Sequence, residues 1–170
     1  MKKEQGIRAL RSRQKNMTKI TLDQIKKLRA KTKAGVMDCR QALRQAQGKL
    51  EEAERILKKW GIESASKRAS RETHQGLIET YTHSDGKIVS VVELLCETEF
   101  VAKTDEFKRL AHELAMQVAA MKPKNISQLL KQPWIRDEKR TVDSLVKEAT
   151  GKIGENIVVR KITRFELGEE

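Results

Sequence analysis

Apolar residues recur at helical spacing through the first third of the chain. Thr21 is suited to cap the first helix of this region. A second helix is predicted over residues 36–47 and a third over 50–60. Gly61 follows the third helix, and glycine readily adopts the left-handed conformation that often ends a helix. The pattern therefore predicts a small three-helix bundle. The apolar positions on its facing sides are Leu22, Ile25, Leu28, Val36, Cys39, Ala42, Leu43, Ala46, Leu50, Ala53, Ile56, Leu57 and Trp60.

Beyond this region the spacing changes from helical to extended. Residues 77–82 and 87–96 flank the turn His83-Ser84-Asp85-Gly86, which predicts a β-hairpin. The second arm is apolar on both faces, as is typical of a central strand that is covered on each side. A helix predicted over residues 104–121 carries a wide apolar stripe and is the expected cover.

In the last third of the chain, the spacing of apolar residues is helical in one segment and extended in another. Residues 124–140 are predicted to be irregular, whereas residues 141–150 indicate a helix and 156–167 a final strand. We therefore expect an α+β fold in which about three antiparallel strands pack on helices. The predicted domains are a three-helix domain over residues 20–61, a helical linker over 62–75 and an α+β core over 76–170.

Charge is concentrated at the start of the chain. The 170 residues have a formal net charge of +12, and residues 1–19 contain seven lysines and arginines against the single Glu4. We expect this segment to be a disordered basic tail. The cysteines, Cys39 and Cys96, are too far apart to indicate a disulfide framework or a zinc site, which fits a reducing cytosol. The expected location is the cytoplasm, unless residues 1–16 are an organellar presequence.

Several classes of chemistry are disfavoured. The chain contains three histidines, none within a catalytic signature, and it lacks the glycine-rich motifs that cradle a nucleotide. His83, Ser84 and Asp85 carry the residue types of a hydrolytic triad, but neighbours at a hairpin tip cannot converge on one another. The sequence therefore predicts a protein that is not an enzyme, needs no cofactor and lacks a membrane span.

One connection combines an aromatic residue with polar neighbours. The stretch from Cys96 to Lys103 leaves the central strand and enters the long helix, and it places Phe100 among charged residues. Such an aromatic is either a plug in the core or an anchor for another protein. Periodicity alone favours the plug.

Three motifs resemble those of the elongation factor Ts family and occur in the same order. Residues 27–43, KLRAKTKAGVMDCRQAL, resemble the opening motif LRxxTGAGMMDCKKAL. Residues 98–103, TEFVAK, resemble TDFVAK, and residues 152–160, KIGENIVVR, are similar to KIGENIxxR. The chain departs from the family pattern at Lys33, where glycine is usual, and at Glu99, where aspartate is usual.

The resemblance implies a function. In this family a helical domain similar to ubiquitin-associated domains docks on the GTPase elongation factor Tu, and the core domain promotes release of GDP. Elongation factor Tu is then the partner, both GDP-bound and nucleotide-free, and a single half-core makes a homodimer plausible. Neither a membrane nor direct binding of nucleic acid is required. The implied partner-binding residues are Arg29, Val36, Met37, Thr98, Glu99, Phe100 and Val101, with Phe100 as a wedge between two partner helices.

Two alternatives stay open from the sequence. Val36 and Met37 are equally consistent with core positions of the bundle, and Arg29 with an ordinary solvated residue. The basic tail and the stretch from Lys58 to Arg71 also fit a protein that binds RNA. Against RNA binding, aromatic residues make up only 4% of the chain and provide no stacking platform.

Overall fold

A computed structural model describes residues 20–83 and 85–169, so the predicted basic tail lies outside the described residues. The chain separates into two compact units, one ending at Trp60 and the other beginning at Gly61, each with its own apolar core. The predicted α+β class, with a three-stranded antiparallel sheet packed on helices, is confirmed. The finer domain boundaries given above stay a prediction. Within the described ranges, no helix combines the length and apolar character needed to cross a membrane.

The first unit is built from α1 (Leu22–Thr32), α2 (Val36–Gln45) and the beginning of α3 (Leu50–Arg68). A capping box starts α1: the Thr21 hydroxyl accepts a hydrogen bond from the Gln24 N–H at 3.2 Å, and the Gln24 side chain accepts one from the Thr21 N–H at 2.9 Å. The core lies where the three helices face each other, as their apolar spacing predicts, but three of the predicted positions are exposed instead: Leu22, Val36 and Leu50. Its buried residues are Ile25, Leu28, Cys39, Ala42, Leu43, Ala46, Ala53 and Leu57.

The second unit is centred on the sheet. Its elements in chain order, after the end of α3, are β1 (Gln75–Thr82), β2 (Ile88–Cys96), α4 (Glu99–Ala102), α5 (Asp105–Met121), α6 (Ile126–Lys131), β3 (Pro133–Trp134), β4 (Asp137–Thr141), α7 (Val142–Ile153) and β5 (Val158–Glu166). The strand β2 lies between β1 and β5 and runs antiparallel to both, so its predicted central position is confirmed. The helix α5 begins at the Thr104 cap and covers the sheet.

The two faces of β2 differ in burial. Val92 and Leu94 are fully buried in the core, whereas Val89 and Val91 on the opposite face are only half-buried. Among residues 20–83 and 85–169, the expectation that both faces of this strand are covered is therefore wrong. Ile78 and Phe165, which pair with Glu93 and Val89 across this face, are 68% and 64% exposed. We call this surface the open sheet face; its apolar members are Ile78, Val89, Val91, Leu95 and Phe165.

The predicted irregular stretch over residues 124–140 is wrong in part, because it contains α6, β3 and most of β4. A buried glutamine on α5 explains this order. The Gln117 side chain donates a hydrogen bond to the Pro133 carbonyl, and its oxygen accepts one from the Ile135 N–H, both at 3.0 Å. Gln117 is fully buried within an apolar stripe, so its amide requires partners, and the β3–β4 hairpin supplies them.

The helix α3 continues to Arg68, so the end predicted for it at Trp60 is wrong. Gly61 has another use. A methyl group on Gly151 in α7 would lie 2.5 Å from both the Cα atom and the carbonyl oxygen of Gly61. The two glycines therefore allow two helix backbones to approach closely, a role that the sequence alone does not distinguish from a helix cap.

Candidate functional site

The connection between β2 and α5 contains two helix caps close together. The Thr98 hydroxyl accepts a hydrogen bond from the Val101 N–H at 3.3 Å and thereby starts the short helix α4. The Thr104 hydroxyl accepts one from the Phe107 N–H at 3.3 Å and starts α5. The Thr104 hydroxyl also donates to the Val101 carbonyl at 2.8 Å, so a threonine side chain contacts α4 at each end. We call residues 97–103 the Phe100 turn.

The side chains of α4 divide between core and solvent. Val101 and Ala102 are 7% and 8% exposed and belong to the core of the second unit. Phe100 is 81% exposed, so the core plug favoured by periodicity is wrong. The helix is only four residues long, and because its last two residues face the core, Phe100 is left on the outer side. An exposed aromatic on a braced turn is suited to insertion into another molecule.

Glu99 and Thr98 reach the surface beside Phe100. The Glu99 carboxylate lies 2.7 Å from the Lys103 ammonium, and the two side chains are 69% and 71% exposed. An exposed ion pair of this kind contributes only about 0.3–0.5 kcal/mol, so Glu99 can change partners at small cost. The structure thus presents Thr98, Glu99 and Phe100 together and places Val101 beneath them as an apolar anchor.

Glu155 and Asn156, which precede β5, support the Phe100 turn. The Glu155 carboxylate accepts hydrogen bonds from the N–H groups of Glu97 and Thr98 at 3.1 and 3.0 Å, and from the Thr98 hydroxyl at 2.6 Å. The N–H of the buried Asn156 donates to the Glu97 carboxylate at 2.6 Å. Sequence reasoning placed both residues in a motif but gave neither a role. The available signal was a polar pair between Gly154 and an apolar strand.

A buried thiol holds the turn from the core side. Cys96 is fully buried, and its thiol donates a hydrogen bond to the Thr98 carbonyl at 3.2 Å. Burial, and after it the negative charge of Glu155, raises the pKa of the Cys96 thiol. The thiol therefore stays protonated at neutral pH and remains a donor.

The candidate residues of the first unit lie on α1 and α2. Arg29 is exposed on α1, and Val36 and Met37 are 48% and 69% exposed at the beginning of α2, so neither apolar residue is part of the bundle core. Lys33 adopts the left-handed conformation with φ 58°, and its N–H donates to the Arg29 carbonyl at 2.8 Å. Lys33 therefore forms the left-handed helix end that glycine usually forms.

Two of the histidines, His112 and His74, form local polar pairs. The His112 ring lies 3.0 Å from the Glu79 carboxylate, and the His74 ring lies 3.1 Å from that of Glu72. His83 lies at the hairpin turn, where its carbonyl accepts a hydrogen bond from the Gly86 N–H at 2.8 Å. Across residues 20–83 and 85–169, no group of three or more His, Cys, Asp or Glu side chains could hold a metal ion.

The sequence family described as elongation factor TS matches residues 97–170, a range that includes both the Phe100 turn and Glu155. Proteins named elongation factor Ts are similar over most of the chain. That of Herpetosiphon aurantiacus is 38% identical over 194 residues, which cover 88% of this chain and 98% of the relative. That of Thermotoga neapolitana is 38% identical over 194 residues, covering 89% and 98%. That of Rippkaea orientalis is 38% identical over 199 residues, covering 90% and 80%.

These alignments are longer than the 170 residues of the chain, so the relatives contain segments that it lacks. The similarity nevertheless extends over both units and includes the residues that build the Phe100 turn. Identity of 38% over most of both sequences is too high and too extended for a chance resemblance. The chain belongs to the elongation factor Ts family.

Proposed function

We propose that this protein is a guanine nucleotide exchange factor for the translation GTPase elongation factor Tu. The observation that carries the proposal is Phe100, which is 81% exposed on a turn held by two caps and a carboxylate. Burying a large aromatic side chain in a partner is a strong source of binding free energy. In the proposal Phe100 inserts between two helices of the GTPase, and Glu99 approaches the site that holds magnesium and phosphate.

The mechanism needs no bond making by this chain, so the protein is not an enzyme in the usual sense. A GTPase of this kind holds GDP through a phosphate-binding loop and a magnesium ion. A wedge that displaces these groups lowers the affinity for GDP, and by linkage GDP lowers the affinity for the wedge by the same factor. The factor therefore binds GDP-loaded and nucleotide-free elongation factor Tu in the cytoplasm, and GTP completes the cycle by displacing it.

The first unit supplies a second contact with the GTPase domain in this proposal. Val36 and Met37 offer exposed apolar surface at the start of α2, and Arg29 is an exposed cation on α1. Two contacts carried by one chain reinforce each other, because binding through the first raises the effective concentration of the second. Each contact can then be weak enough for rapid release.

The proposal is tested with elongation factor Tu loaded with fluorescent GDP in a stopped-flow instrument. Catalytic amounts of the chain should accelerate loss of the label. The Phe100→Ala variant should reduce this acceleration at least several-fold, since a buried aromatic anchor is worth about 2 kcal/mol or more. Met121→Ala is the control: Met121 is 41% exposed at the far end of the 17-residue helix α5, about 25 Å from the Phe100 turn.

The outcomes separate the parts of the proposal. If the wild-type chain neither accelerates release nor binds nucleotide-free elongation factor Tu, the exchange function is wrong. If the wild-type chain is active and Phe100→Ala is equally fast, exchange stands and the wedge is wrong. A loss of activity in Met121→Ala as large as that in Phe100→Ala would indicate a general effect on the fold.

We also propose that a second copy of the chain covers the open sheet face. A single sheet with helices on one side leaves its other face without a layer, and face-to-face packing of two such sheets completes a sandwich. Ile78 and Phe165, 68% and 64% exposed, then become buried. A twofold axis places the same patch on both copies, and the neighbouring Glu93 and Lys161 offer opposite charges across it.

Light scattering coupled to gel filtration tests the dimer. The wild-type chain should have the mass of two copies, and Phe165→Glu should have that of one, because two carboxylates would be buried without partners. Phe100→Ala should remain dimeric, since Phe100 lies outside the open sheet face. A wild-type chain that is monomeric at micromolar concentration would rule out this arrangement.

A further inference from the structure

We propose that Glu155 is the positioning residue that aims Phe100 at the partner, although Glu155 itself stays beneath the Phe100 turn. The inference rests on the proposed exchange function and extends it to a residue outside the contact surface. It starts from the convergence of three donors on one carboxylate. One Glu155 oxygen accepts hydrogen bonds from the N–H groups of Glu97 and Thr98, and the other accepts one from the Thr98 hydroxyl.

These hydrogen bonds involve a charged acceptor and are therefore stronger than bonds between neutral groups. The two N–H groups belong to the residues immediately before α4, where the chain leaves β2 and has no strand or helix partner for them. A helix of four residues has too few internal hydrogen bonds to be stable by itself. The direction of α4, and with it that of Phe100, is therefore set by what fixes its beginning.

The Thr98 hydroxyl links Glu155 to the helix cap. A hydroxyl has one proton to donate and lone pairs to accept with. Because the proton of Thr98 is donated to Glu155 at 2.6 Å, a lone pair is left for the Val101 N–H, which donates to it at 3.3 Å. Glu155 thus orients the hydroxyl that begins α4, one residue away from Glu99 and two from Phe100.

Glu155 is itself held in place by its neighbour. The Asn156 side chain donates to the Arg71 carbonyl at 2.8 Å, and its N–H donates to the Glu97 carboxylate at 2.6 Å. The Arg71 guanidinium lies 3.4 Å from the same Glu97 oxygen. This network joins the segment after α3, the Phe100 turn and the beginning of β5. A carboxylate supported in this way keeps the turn in one conformation before a partner arrives.

The experiment is a double-mutant cycle in the GDP-release assay. Glu155→Gln replaces one carboxylate oxygen by an amide group that cannot accept, so the turn spends less time in its binding conformation. We expect release to slow about fivefold, because apparent affinity falls with the populated fraction of the competent state. In the Phe100→Ala background the same change should have a clearly smaller effect, since the aromatic is gone and only Glu99 is left for the turn to orient.

A matched control separates positioning from general destabilisation. Glu113→Gln is the same substitution in the same unit and removes the negative charge that faces Arg136 at 2.7 Å, in a pair that shares no hydrogen bond with the turn. Its release rate should equal that of the wild type. An equal loss of rate from Glu155→Gln with and without Phe100 would overturn the positioning role, because the effect would then not act through the aromatic.

Amide hydrogen exchange by NMR provides a readout that does not depend on elongation factor Tu. The N–H groups of Glu97 and Thr98 should exchange at least about tenfold faster in Glu155→Gln, while amides in the middle of α5 keep their protection. Unchanged protection at Glu97 and Thr98 would overturn the proposal even if release is slow. If the wild-type chain has no exchange activity, the proposed function fails, while this measurement still decides whether Glu155 holds the turn.

A second variant covers the case in which Glu155→Gln does not fold. Glu155→Asp keeps the charge but is one methylene shorter, so it cannot reach all three donors together. We expect a folded protein with release slowed about twofold to threefold, and again a smaller effect in the Phe100→Ala background. A rate equal to that of the wild type in Glu155→Asp, with the amide protection lost, would contradict the link between the turn and the partner.

Discussion

The two units present apolar side chains to solvent by different means. Val36 and Met37 begin a ten-residue helix, α2, whose direction is fixed by packing in the bundle core. Phe100 lies on a four-residue helix, and polar contacts from Thr98 and Glu155 fix its direction. An exposed apolar side chain on a regular helix thus depends on an apolar core some distance away. One on a short turn depends on hydrogen bonds next to it.

This difference determines which substitutions should affect each surface. In the first unit a loss of core volume should remove the surface altogether, because the bundle is close to the lower size limit for independent stability. In the second unit the large core should survive such a change, and the Phe100 turn should instead respond to the loss of one polar group. The substitutions below address each case in order of expected effect.

The largest difference is expected between two identical core substitutions. Leu43 in the first unit and Leu114 in the second are both fully buried, and Leu→Ala at either position should cost about 3 kcal/mol. For Leu43→Ala this exceeds what the small bundle can lose, so α1 and α2 should unfold at 25 °C while the sheet amides remain protected. Leu114→Ala should lower the thermal midpoint of the second unit without unfolding it. Amide exchange resolved by residue measures both, and equal loss of structure in the two units would contradict the comparison.

Asn156→Ala should produce the next largest effect, confined to the second unit. Asn156 is 5% exposed, and its loss leaves the Arg71 carbonyl without the donor at 2.8 Å. The change removes this hydrogen bond, worth about 1 kcal/mol, and also the packing of a buried side chain. Asn125→Ala is the control, because this exposed asparagine caps α6 through the Gln128 N–H at 2.8 Å, and such a cap is worth about 1 kcal/mol. Urea unfolding should show a larger loss of unfolding free energy for Asn156→Ala than for Asn125→Ala. The reverse order would contradict the role of Asn156 in supporting the Phe100 turn.

The elements themselves could be predicted from the sequence where periodicity is strong. The apolar stripes of α2 and α5 and the continuous apolar run of β2 fix their type, because each pattern is repeated over several residues. The β3–β4 hairpin escaped prediction because its order comes from Gln117, a residue distant in sequence. Gly61 was assigned to a helix end for a similar reason: its partner, Gly151, lies in α7.

The candidate site, too, could be predicted from the sequence only in part. The exposed turn was located correctly as a connection, but periodicity alone put Phe100 in the core, because it does not encode which side of a four-residue helix faces out. Family motifs drew attention to Glu155 and Asn156 without giving them a role. That role is visible only once β5 and the Phe100 turn are brought together by the sheet.

Lys33→Gly should change stability by less than the substitutions above, and it should stabilise the first unit. Lys33 has φ 58°, a conformation that costs a residue with a Cβ atom about 1 kcal/mol and glycine almost nothing. Glycine also gains freedom in the unfolded chain, so the net stabilisation of the first unit should be about 0.5 kcal/mol. The thermal midpoint of α1 and α2 measures it. Lys31→Gly, in the last turn of α1 where the backbone is helical, should instead destabilise the unit.

The smallest expected effect concerns surface charge. Glu54 in the first unit pairs with Lys31 at 3.1 Å, whereas Glu166 at the end of β5 accepts hydrogen bonds from Lys122 and Arg164 at 2.5 and 2.6 Å. These two cations lower the pKa of Glu166 from 4.5 to about 2. Because the pKa is lower in the folded state, the stabilisation is complete above pH 4.5 and is lost as pH falls towards 2.

Glu166→Gln should lower the thermal midpoint of the second unit by about 1–2 °C at pH 7 in low salt, and by less in 0.5 M salt. The difference from the wild type should shrink between pH 4.5 and 2; a difference that persists unchanged at pH 2 would mean that Glu166 acts through packing and not through its charge.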